Sequence, residues 1–113
     1  MNATKNNKKT LQEILSNAYP QIENQYETEF KNCFGAVAGY VDSNIFCSYG
    51  KFGFAIKLPK LDIEQLLKEG AEPFRYFPNG HVKKDYAVLP KKIMLGKKRL
   101  KKLITTSVEF VAS

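Results

Sequence analysis

The chain predicts an α+β domain: an antiparallel β-sheet of about five strands flanked by helices, in the order α-β-β-β-α-β-β-α. Residues 34–58 hold three short runs rich in aromatic and β-branched side chains, separated by the turn-forming Asp42-Ser43-Asn44 and Gly50-Lys51. Apolar residues recur at helical spacing near both ends of the chain, and Pro59 and Pro90 stand where one periodicity gives way to the other. At 113 residues and 43% hydrophobic, the chain has the size and apolar content of one domain around a single core.

Residues 1–9 are polar and basic and read as a disordered tail. Thr10 then suits a helix N-cap, with Glu13 three residues on as in a capping box and Leu11, Ile14, Leu15 and Ala18 on one face. Pro20 ends or kinks this helix, because it has no N–H for the i−4 carbonyl. Phe34 to Val41 is too rich in glycine for a helix and reads as the first strand, and Ile45 to Tyr49 as the second. In the third, Phe52, Phe54, Ile56 and Leu58 alternate with Gly53, Ala55 and Lys57, so the large side chains are expected on the core face. Gly35 and Gly39 in the first strand point to a close backbone approach or a bulge.

After Pro59, Ile63, Leu66 and Leu67 stand at i, i+3 and i+4 within Leu61 to Glu69, ahead of Gly70 as the C′ residue of a second helix. Strands near Phe74 to Phe77 and Lys84 to Leu89 are joined through Pro78-Asn79-Gly80-His81. A final helix follows Pro90, interrupted or begun near Gly96. Its Leu100, Leu103, Ile104, Ser107, Val108 and Val111 share one side, and Lys98, Lys101 and Lys102 lie opposite.

Net charge is +7, and it is unevenly spread. Nine cations and one acid between Lys83 and Lys102 leave the other 93 residues at −1. Lys91, Lys92, Lys97, Lys98, Arg99, Lys101 and Lys102 are therefore the candidate anion- or nucleic-acid-binding residues. The alternative is a solvated helix face, which amphipathicity alone would produce. No apolar run is long enough to span a bilayer and no signal-like segment follows Met1, so a soluble, cytoplasmic, membrane-free protein is expected. Cys33 and Cys47, a lone pair in a reducing compartment, read as packing thiols.

Chemistry is sparse. His81 is the single histidine, too few for a closed zinc site alongside two cysteines, and neither a nucleophile elbow nor a phosphate-binding loop occurs. Neither catalytic residues, nor a metal, nor a cofactor is expected. An enzyme or small-ligand carrier is the least favoured class, requiring an apolar groove between sheet and helices.

Four stretches in this order resemble the N-terminal domain of the TfoX/Sxy competence-regulator family: Cys33-Phe34-Gly35-Ala36-Val37-Ala38-Gly39-Tyr40, Ile56-Lys57-Leu58-Pro59, Gly70-Ala71-Glu72-Pro73-Phe74, and Lys84-Asp85-Tyr86-Ala87-Val88-Leu89-Pro90. Cys33 stands where the family usually has Met. The resemblance covers roughly residues 10 to 110 and makes 10–113 a single TfoX N-terminal-like domain, standing alone without the helical second domain of full-length members. It implies a non-enzymatic module acting through a regulatory protein partner in bacterial transcription or competence regulation. Direct, weakly sequence-specific nucleic-acid binding is the alternative, since Arg99 is the closing helix's only arginine and few of its side chains could pair with base edges. Exposed sheet edges make a homodimer an expected assembly.

Overall fold

Tight turns set out the first four strands. The computed structural model describes residues 3–75 and 80–112. Strand β1 (Thr28–Cys33) and strand β2 (Ala36–Val41) are joined by Phe34-Gly35, with φ values of 51° and 81°. Positive φ at both central residues is the type I′ geometry, whose twist matches that of the flanking strands. Asp42 and Ser43, at φ 48° and 70°, make the same kind of turn into β3 (Asn44–Gly50). Lys51-Phe52 leads into β4 (Gly53–Lys57).

Two further strands, β5 (Glu72–Phe74) and β6 (Lys83–Val88), complete a six-stranded antiparallel sheet in the order β1-β2-β3-β4-β6-β5. The α+β class is as expected, with one strand more than the five anticipated. The addition is β1, a stretch to which the sequence pattern assigns no element. The strand expected from Phe74 to Phe77 instead ends at Phe74, and the residues from Tyr76 to Asn79, with Pro78 and Asn79 of the expected turn, lie outside the described residues.

Helix α1 (Ala3–Ala18) and a single turn α2 (Ile22–Gln25) precede the sheet. Helix α3 (Lys60–Lys68) follows β4, and the short α4 (Lys91–Met94) and the closing α5 (Lys97–Ala112) follow β6. The disordered tail expected over residues 1–9 is corrected from Ala3 on, because α1 is helical from there and Thr10 lies within it rather than at its cap, while residues 1 and 2 lie outside the described residues. Lys and Ala are good helix formers, and once Leu11 and Leu15 dock, propagating the helix upstream costs little. Asn7 Nδ2 also donates to the Gly35 carbonyl at 3.3 Å, tying this part of α1 to the β1–β2 turn.

The prolines act as anticipated. The Pro59 carbonyl accepts the first bond of α3 from Ile63 N–H, and the Pro90 carbonyl accepts from Ile93 and Met94. Gly70, at φ 103°, follows α3 while Ala71 N–H donates to Leu66 and Gly70 N–H to Leu67, a complete Schellman closure. The closing helix is broken at Leu95-Gly96 and restarts when Leu100 N–H bonds the Gly96 carbonyl.

Helices α1 and α5 pack against each other and on one face of the sheet. Between them lies the core of Leu11, Leu15, Val37, Val41, Phe46, Phe54, Ile56, Leu100, Ile104 and Val108. A fully buried Leu or Phe contributes about 1.5–3 kcal/mol relative to exposure, so this face supplies much of the stability. Phe54, Ile56 and Leu58 are buried as expected, but Phe52 is corrected to a 43% exposed turn residue. It sits in the loop before Gly53, whose φ of 100° re-aims the chain and takes Phe52 out of the alternation. A smaller cluster of Ala55, Phe74 and Tyr86 buries β4 on its second face as well.

Candidate functional site

The cationic residues come from two consecutive elements that Gly96 separates. Lys91 and Lys92 open α4, while Lys97, Lys98, Arg99, Lys101 and Lys102 occupy the first turns of α5, and all seven are exposed. The helical repeat explains their common outward placement, since Leu100, Leu103 and Ile104 take the buried side of the same turns. Among the described residues, none of the six lysines is in an ion pair.

Arg99 differs from its neighbours. Its guanidinium forms a fork with the Glu69 carboxylate, Nη1 to Oε1 and Nη2 to Oε2 at 2.6 Å, joining α5 to the C-terminal end of α3. Gln65 Nε2 donates to the same carboxylate at 3.1 Å. The Arg99 hydrogen bonds, then the Gln65 bond and the nearby charges of Arg99 and Lys92, hold the Glu69 carboxyl down at about 2. The anion-accessible set is therefore the six lysines, with Arg99 committed to a structural fork.

At the start of α5 the side-chain charges run against the helix dipole. The first turn holds no acid and three cations, Lys97, Lys98 and Arg99, at the positive end of the helix dipole. Each such placement costs about 0.3–1 kcal/mol, where Asp or Glu would be stabilising.

A separate feature is an apolar groove of about 590 Å³ between α3, β6 and the end of α5. Leu58, Ile63, Leu67, Val82, Tyr86 and Phe110 contribute to its wall, and Lys60, Glu64, Lys84 and Asp85 ring it with both signs of charge. Leu67 and Phe110 remain 39% and 41% exposed. Sequence reasoning missed this groove. The available signal was Phe110, a large apolar residue off the core stripe of α5, together with Leu67 beside the fully used Ile63 and Leu66.

Groups able to do covalent chemistry are scattered. Cys47 is buried in β3, its thiol pushed well above the ordinary value by desolvation, and Cys33 is half-buried at the end of β1. His81 is exposed ahead of β6. Among the described residues, no three His, Cys, Asp or Glu side chains gather where a metal could be held. Also among these residues, no helix is long and apolar enough to cross a membrane.

Comparison with known proteins adds one finding. A family model, the TfoX N-terminal domain, matches residues 21–111, from just ahead of α2 to the penultimate residue of α5. No curated protein matches the chain.

Proposed function

Because the chain belongs to the TfoX N-terminal domain family, we propose that it is a non-enzymatic regulatory module acting through contact with a protein partner, in bacterial transcription or competence regulation. The observation that carries this reading is the groove between α3, β6 and α5, where exposed apolar side chains meet a rim of mixed charge. Contiguous apolar surface framed by polar residues is characteristic of protein interaction sites. Cys47 is buried and desolvation disfavours its thiolate, which supports a binding role over one that would use this thiol as a nucleophile.

The test is a quantitative affinity recovery from native lysate with the wild-type chain and with Leu67→Asp. One protein at near-stoichiometric yield with the wild type, lost with the variant while the helical circular dichroism stays intact, is the expected result. Equal recovery with both chains would remove the groove from the account.

The unpaired lysines favour a second reading, direct nucleic-acid binding through Lys91, Lys92, Lys97, Lys98, Lys101 and Lys102. Contacts to phosphate release counterions, so affinity would fall steeply with salt. Neutralising Lys98, Lys101 and Lys102 together would flatten the slope of log K against log salt by up to about three, near 0.9 per lost contact. Mobility shifts of duplex DNA and RNA at two salt concentrations check this, and absent or salt-independent shifts would exclude it.

A further inference from the structure

The two edges of the sheet are built differently. β5 is three residues long, contains Pro73 and breaks register between Pro73 and Phe74, all of which discourage pairing with another strand. β1 is six residues long, has neither Pro nor Gly, and runs in unbroken register with β2 from Thr28 to Cys33. One edge is closed to further pairing and the other is left open.

The backbone of β1 shows what an added strand would meet. Asp42 N–H donates to the Glu27 carbonyl at 2.8 Å, and the two-residue turn closes on the pair Cys33 and Ala36. Alternation between these points turns the N–H and C=O groups of Glu29 and Lys31 toward β2. Those of Thr28, Phe30 and Asn32 therefore face the free side. The side chains alternate as well: Phe30 packs against the core on the helix side, while Glu29 and Lys31 share the other face and approach each other to 3.7 Å.

We propose that β1 pairs antiparallel with β1 of a second copy of this chain, about a twofold axis at Phe30, to make a continuous twelve-stranded sheet from two of the six-stranded ones. Charge complementarity selects this register. With Phe30 opposite Phe30, Glu29 of each copy stands opposite Lys31 of the other in a non-hydrogen-bonded pair, where side chains lie closest. Centring the axis on Thr28, Glu29 or Lys31 instead sets like charges face to face, and centring it on Asn32 leaves both charges without a counterpart in the opposing strand. In the Phe30 register, the outward N–H and C=O groups of Thr28 and Asn32 also meet each other across the axis. On the helix side a groove of about 230 Å³ beside Phe30, lined by Gln12, Leu15, Pro20 and Ile22, leaves space for the second Phe30 ring. Lys31, which on most edges discourages association, is here matched by its neighbour two residues away.

Charge exchange tests the register, with sedimentation velocity across a concentration series as the readout. Wild type is expected to dimerise. Glu29→Lys and Lys31→Glu alone each set like charges opposite one another, and each is expected to weaken self-association about tenfold or more. An equimolar mixture of the two variants restores both opposite-charge pairs and is expected to dimerise as the wild type does, as is the double exchange Glu29→Lys/Lys31→Glu. Both residue changes are on exposed side chains, and unchanged circular dichroism verifies folding. A wild type that stays monomeric at every concentration overturns the proposal, as does a dimer that the single variants leave intact or that the mixture fails to restore.

Discussion

Gly39 shows how one missing side chain fixes a strand. It pairs with Cys47 across β2 and β3, and a Cβ there would stand 2.7 Å from the Cys47 sulfur. The register of the two strands shifts immediately afterwards, between Gly39 and Tyr40, so the bulge expected of this glycine holds, while what approaches it is the Cys47 side chain and not another backbone. Overpacking of this kind costs about 1–3 kcal/mol, so Gly39→Ala is expected to lower unfolding free energy by that amount in denaturant titrations. Cys47→Ala removes the opposing sulfur and should relieve part of the penalty, making the double variant more stable than the two single losses predict. Additive losses would show that Gly39 is required for another reason. A second contact of this kind is Ser107, buried in α5, whose hydroxyl donates to the Phe46 carbonyl of β3 at 3.2 Å and so locks the helix to the sheet.

Between elements, the fork from Arg99 to Glu69 joins the end of α3 to the start of α5. The Glu69 carboxyl is held below its ordinary 4.5, at about 2, so the folded state binds its proton less readily than the unfolded chain does. Its contribution to stability is then complete above about pH 4.5 and fades as pH falls toward 2. Thermal melts across that window should show a shallower decline for Glu69→Gln than for the wild type, and parallel declines would mean that the fork does not couple the two helices. Neither partner was legible as a pair, because 30 positions separate them and each looked like a solvated helix charge. The elements with strong periodicity were legible: α5 from its Leu100, Leu103, Ile104 stripe, α3 from Ile63 and Leu66, and β4 from Phe54 and Ile56. β1 was not, since an edge strand with a single large apolar residue, Phe30, gives alternation almost nothing to register. The first turns of α1 were missed for a related reason, as polar composition resembles a tail whenever the docking that stabilises it comes from residues downstream.

At the scale of the whole molecule, the sheet uses one face for α1 and α5, and elsewhere the surface carries a lysine face, an apolar groove and an open edge. The lysine face was readable from charge counting, although Arg99 had to be subtracted from it once Glu69 was seen to hold it. The groove was not read, although Phe110 and Leu67 marked two of its walls, because α3, β6 and the end of α5 are brought together only by the fold. Whether a partner docks in the groove is decided by site-directed photo-crosslinking in native lysate, with the photoreactive side chain placed at position 67 or at position 98. Docking there yields one discrete protein adduct from position 67 and none of that mass from position 98. Nucleic-acid adducts from position 98 alone, with nothing captured from position 67, would contradict it.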